Sequence, residues 1–86
     1  MTSYEVVLRP SAQRDLRKLP QAVEEQVIRA LDILRSQPRP VGVKKLAGGT
    51  NEWRLRVGDY RILYEINDKK RYVRVFRIAH RRDAYR

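Results

Sequence analysis

The sequence predicts an α+β domain of order β-α-α-β-β-β(β), with a helix hairpin packed on one face of an antiparallel sheet. Three observations carry this. Apolar residues recur at helical spacing twice between residues 11 and 35. Two runs in the second half instead alternate apolar and polar side chains, the period of a strand with one buried face. Finally, 86 residues of which 42% are hydrophobic supply one thin core and no more, so residues 1–86 are expected to form a single domain.

Tyr4–Arg9 is rich in β-formers, and Pro10 ends it as a first strand. Ser11 is placed to cap a short helix in which Ala12, Leu16 and Leu19 share one face. Pro20 closes that helix and can also occupy the first turn of the next. From Gln21 to Arg35, the residues Val23, Val27, Ala30, Leu31 and Leu34 form one stripe, and Gln37-Pro38-Arg39-Pro40 stops it. Val43–Ala47 reads as a short edge strand before the loop Gly48-Gly49-Thr50-Asn51. In Glu52–Val57, Trp53, Leu55 and Val57 point one way and Arg54 and Arg56 the other. Gly58-Asp59 is a two-residue hairpin loop with glycine where a type II′ turn needs positive φ. Tyr60–Ile66 sends Tyr60, Ile62, Tyr64 and Ile66 to one face and Arg61, Leu63 and Glu65 to the other. After Asn67-Asp68-Lys69-Lys70 comes the last strand, Tyr72–His80. Its Val73/Val75 and Phe76/Ile78 rows are both apolar, as in a central strand covered on both faces.

Composition excludes several classes of function. Without cysteine there is no disulfide framework, thiol nucleophile or Cys-based zinc site, and one histidine rules out a multi-His metal centre within one chain. No metal or other cofactor is expected. No apolar run is long enough to span a membrane, and MTSYEVVLRP lacks the pattern of a secretory leader, so a cytoplasmic protein with no membrane partner is expected. The formal charge is +10, and it is unevenly spread: residues 39–86 hold fourteen basic and five acidic side chains, against six and five before them. Six of the seven aromatics also lie in that half. Cations that hold phosphates beside rings that stack on bases suit a nucleic-acid partner.

With Trp53, Leu55 and Val57 in the core row, Arg54 and Arg56 project from the uncovered face, and hairpin pairing brings Arg61 beside them. Guanidiniums so placed repel one another unless an anion sits among them, and each offers a planar fork to phosphate. The segment His80-Arg81-Arg82 is expected to return next to this row. His80 is the one side chain of a type that titrates near neutrality. Tyr85 suits either stacking on a base or pinning the tail to the sheet.

The runs Lys44-Lys45-Leu46-Ala47-Gly48, Trp53-Arg54-Leu55-Arg56-Val57-Gly58-Asp59-Tyr60-Arg61-Ile62-Leu63-Tyr64-Glu65-Ile66 and His80-Arg81-Arg82-Asp83-Ala84-Tyr85-Arg86, in that order and spacing, resemble the RelE/ParE superfamily of bacterial toxins, the RelE branch in particular. The resemblance implies a ribosome-dependent mRNA endoribonuclease that cuts codons in the A site, inhibits translation, and is neutralised by a cognate acidic antitoxin (RelB-like). The RNA 2′-OH attacks the adjacent phosphate, leaving a 2′,3′-cyclic phosphate and a 5′-OH without a metal. By the same resemblance the first strand lies beside the last. Arg54 and Arg56 are the paired basic residues of the active strand, Arg61 holds phosphate, Arg81 attends the leaving group and Tyr85 stacks on a nucleotide. Lys44, Lys45, Arg77, Arg82 and Arg86 are expected to bind RNA. The best-known RelE members carry lysine where this chain has Arg54 and Arg56. A guanidinium is a poor base, so His80 is expected to supply the titrating group. Two alternatives remain: a ParE-like poison of DNA gyrase, or a non-catalytic RNA- or ribosome-binding protein.

Overall fold

The structure, a computed structural model, describes residues 3–46, 48 and 51–83. Its elements are β1 (Glu5–Leu8), α1 (Pro10–Arg17), α2 (Gln21–Leu34), β2 (Lys44–Lys45), β3 (Glu52–Val57), β4 (Tyr60–Asn67) and β5 (Tyr72–His80). The sheet has the order β1-β5-β4-β3-β2. From β2 to β5 each strand is antiparallel to its neighbour, and β1 lies beside β5 as expected, joining it in parallel. One face carries the core, where Ala12, Val27, Leu31 and Leu34 of the helices meet Leu55, Ile62, Tyr64, Ile66, Val73, Val75 and Ile78. Among the described residues, no helix is long and apolar enough to cross a membrane.

Two details of the helix hairpin differ from the sequence reading. Ser11 does not cap α1. Pro10 occupies the first turn, its missing N–H costing nothing there, and the residue before the helix, Arg9, is extended without a side-chain cap. Ser11 Oγ instead donates to the Phe76 carbonyl (2.8 Å), and the Asp15 carboxylate accepts from the Ile78 N–H (2.9 Å). β1 pairs with β5 only as far as Val75, so these two side chains, one turn apart on α1, satisfy the backbone that β1 leaves unpaired. Asp15→Ala is expected to cost about 1–2 kcal/mol by orphaning the Ile78 N–H, read as a lower denaturation midpoint at unchanged slope.

β5 explains its own double apolar pattern. Leu63 pairs with Arg77 and Tyr64 with Val75, which leaves Phe76 unpaired in a β-bulge. The extra residue shifts the alternation by one, so Val73, Val75 and Ile78 all reach the helix side. The two apolar rows therefore come from the bulge, in place of the expected cover on both faces. β2 is shorter than expected, Lys44–Lys45 alone, and Ala47 lies outside the described residues.

A polar clamp fastens the α2–β2 connection to the far end of the sheet. Arg39 donates through Nη1 and Nη2 to Asp68 Oδ1 and Oδ2 (3.2 and 2.8 Å), and the Tyr4 hydroxyl donates to Oδ1 (2.7 Å). Nearby, the Tyr64 hydroxyl donates to the Pro38 carbonyl (2.8 Å), and burial pushes that phenol well up. The hydrogen bond from Arg39, then that from Tyr4, holds the Asp68 carboxyl down at about 2, below its ordinary 3.8. A depressed carboxylate stabilises above its unfolded value and loses that contribution as pH falls towards the folded one. Asp68→Asn is accordingly expected to flatten the acid limb of stability between pH 3.8 and about 2. Both partners are solvent-accessible, so the change is under about 1 kcal/mol.

Candidate nucleic-acid interface

The open face of the sheet, away from the helices, is built by strand alternation. β3 must bury Trp53, Leu55 and Val57, so Arg54 and Arg56 emerge opposite. Gly58 adopts φ +59° and closes a two-residue loop that sets Val57 against Tyr60. That register places Arg56 directly across from Arg61, and Arg54 between Leu63 of β4 and Lys44 of β2. The result is a cleft of about 390 Å³ lined by Gly42, Lys44, Arg54, Arg56 and Arg61. Gly42 sits at φ +91° on its rim, a conformation that L-residues rarely adopt. Among the described residues, the lining is glycine, lysine and arginine.

Backbone oxygens hold the guanidiniums of Arg56 and Arg61. Arg56 Nε donates to the Gly58 carbonyl (3.1 Å). Arg61 Nη1 donates to the same carbonyl (3.4 Å) and to that of Tyr60 (3.0 Å). One turn carbonyl thus gathers two cations and leaves the outer N–H groups of both forks directed elsewhere. Two guanidiniums about 5 Å apart repel by roughly 0.8 kcal/mol even in water. An anion between them removes that cost and accepts charge-assisted bonds.

The other predicted residues divide. Arg81 is exposed, and its backbone N–H bonds Asp59 (2.7 Å), so the chain returns beside the β3–β4 turn as expected. Lys45, adjacent to Lys44 in the strand, faces the other way, with Nζ 6.0 Å from the centre of the Trp53 ring, which Arg39 approaches to 5.0 Å. Arg77 stands in register with Leu63, but Nη2 donates to the Asp83 carbonyl (3.2 Å). Arg82 is exposed and donates its backbone N–H to His80 Nδ1 (3.3 Å). Tyr85 and Arg86 lie outside the described residues.

His80 stands apart from the arginine row. It pairs with Tyr60, its ring meeting that of Tyr60 edge to face at 5.3 Å, and it lines a separate groove with Asp15, Lys18 and Leu19. Tyr60 shares the parity of Ile62 and Tyr64, which face the helices, so His80 is on the helix side and the arginines are on the open side. The bulge at Phe76 put it there. Sequence reasoning also missed the Gly58 carbonyl and Gly42, because no side chain announces either. Only the positive φ that glycine permits gave a clue.

Four basic side chains lining one cleft on a two-helix, five-strand α+β fold are the setting in which a known class of toxin is recognised. The chain belongs to the family described as ParE toxin of type II toxin-antitoxin system, parDE, which it matches over residues 6–85. It is 37% identical to Toxin RelG of Mycobacterium tuberculosis, over 96% of this chain and 97% of that protein. Its fold is similar to that in the crystal structure of the archaeal RelE-RelB complex from Pyrococcus horikoshii (TM-score 0.83, 31% identity, 98% of this chain and 100% of that one). It is equally similar to that in the toxin-antitoxin complex RelBE2 from M. tuberculosis (TM-score 0.81, 32% identity, 91% and 98%).

Proposed function

We propose that this chain is a ribosome-dependent mRNA endoribonuclease that acts in the cytoplasm and is neutralised by a cognate, acidic, RelB-like antitoxin. One observation carries the reading: Lys44, Arg54, Arg56 and Arg61 converge on one cleft of the open sheet face. In-line attack of a 2′-hydroxyl on its own 3′-phosphate builds a doubly charged phosphorane, and preorganised cations stabilise that state more than the ground state. Arg56 and Arg61, tethered through Gly58, hold the non-bridging oxygens, and Arg54 closes the third side. Arg81, beside the same turn, reaches the departing 5′-oxygen. The 2′-hydroxyl proton passes to Lys44 in its unprotonated amine form, which becomes the ammonium, since a guanidinium keeps its protons and His80 occupies the other face. The bond from phosphorus to the 5′-oxygen breaks, giving a 2′,3′-cyclic phosphate and a 5′-hydroxyl that takes its proton from water. The RelE-RelB and RelBE2 complexes among the structural relatives support the antitoxin partner.

Primer extension on mRNA from cells expressing the chain tests the reading. Cuts inside translated codons, absent from untranslated RNA, are expected. The match to a family described as a ParE toxin favours a second reading, a gyrase poison of the same fold. DNA damage with intact mRNA would establish that one instead.

A further inference from the structure

A second concentration of positive charge stands at the opposite end of the sheet. There the start of β1, the end of α2 and the β4–β5 turn enclose a surface concavity of about 670 Å³, lined among the described residues by Arg35, Lys70 and Arg71 together with Glu5, Tyr4 and Val6. The turn's own acid, Asp68, is taken up by Arg39 and Tyr4, so it does not neutralise its neighbours. The turn is also fixed. Asn67 Oδ1 accepts from the Lys70 N–H (2.8 Å), the Arg71 carbonyl accepts from the Glu5 N–H (3.0 Å), and Arg71 is held at φ +57°. A non-glycine residue in that conformation carries strain that the surrounding bonds must hold. Here they hold two exposed cations side by side at the rim.

We infer that this concavity is a second binding site for the phosphate backbone of folded RNA, distinct from the arginine cleft. Its separation decides what kind of RNA it takes. β4 spans eight residues, which at ~3.3 Å each sets the two basic ends about 25 Å apart. Between them on the open face the strands carry Glu52 opposite Glu65, and Glu65 is paired with Arg74. A strand leaving the cleft along the sheet meets these carboxylates first, so the basic track is interrupted. The far site therefore takes a different segment of the same large RNA. That is an arrangement only a folded RNA supplies, and one that would tie cleavage to the ribosome. A protein partner fits less well, because most of the side chains at the rim are charged, whereas the centres of protein interfaces are depleted in charge.

The inference rests on the RNA-directed reading above, but its test reads binding alone. Lys70→Gln combined with Arg71→Gly removes two charges, and the glycine relieves the backbone at φ +57°, so the melting temperature should hold or rise. Binding to isolated small-subunit ribosomal RNA is expected to lose about 1.5–2 from the slope of log K against log salt, at ~0.9 per phosphate. Binding to a short unstructured oligoribonucleotide, which the cleft takes, should not change. The Lys70→Arg variant keeps the charge and should bind ribosomal RNA as the unaltered chain does. An unchanged slope in the double variant overturns the proposal, as does a loss confined to binding of the acidic antitoxin. A reduced slope in a chain that cuts no mRNA would support this site while overturning the nuclease.

Discussion

Arg61→Gln is expected to slow single-turnover cleavage on programmed ribosomes by about 10²–10³-fold, equivalent to roughly 2.7–4 kcal/mol of transition-state stabilisation. The fold should barely notice. Arg61 sits on the open face and bonds only the Gly58 and Tyr60 carbonyls, at the solvent-accessible end of the hairpin where water can replace it. Nη1 is committed to those carbonyls, which fixes the plane of the fork and leaves Nη2 to meet phosphate. Arg56 commits Nε to the same Gly58 oxygen and keeps both Nη groups. Because one carbonyl positions both, the two residues act as a unit. Arg56→Gln together with Arg61→Gln should therefore cost much less than the product of the single effects. Arg61→Lys restores charge without the fork, and an intermediate loss of about tenfold is expected. Cleavage by Arg61→Gln within about threefold of the unaltered rate would remove the cleft from the mechanism.

How much of this site could be read in the sequence depends on where local alternation sufficed. Glu52–Val57 and the Gly58-Asp59 loop fix the register between β3 and β4, and with it the meeting of Arg54, Arg56 and Arg61, because a two-residue loop leaves one pairing. Strand parity alone separates Lys44 from Lys45, which composition and charge treat alike. β5 was harder. Counted in phase with Val73 and Val75, His80 falls on the open face beside the arginines; the bulge at Phe76 moves it across the sheet. The trace was present, since Val75 and Ile78 are three apart where an unbroken strand would set core residues two apart. What α1 does with Ser11 and Asp15 was invisible, because their partners on β5 are more than sixty residues away and are backbone atoms.

With His80 on the helix side, the proposed mechanism gives the proton-handling role to Lys44, and Lys44→Arg tests that role. The substitution keeps a cation of similar reach in the cleft, so affinity for RNA and its salt dependence should be unchanged. What disappears is the ability to release a proton. An amine can cycle between charged and neutral forms during a turnover, whereas a guanidinium stays protonated throughout. A loss of about 10²–10⁴ in the cleavage step with little change in apparent KM is expected. His80→Gln serves as the counterpart, since its groove with Asp15, Lys18 and Leu19 faces the helices, and cleavage within about threefold of the unaltered rate is expected. The reverse pattern, an active Lys44→Arg and an inactive His80→Gln, would mean that the proton leaves by the helix side and that the arginine cleft only binds.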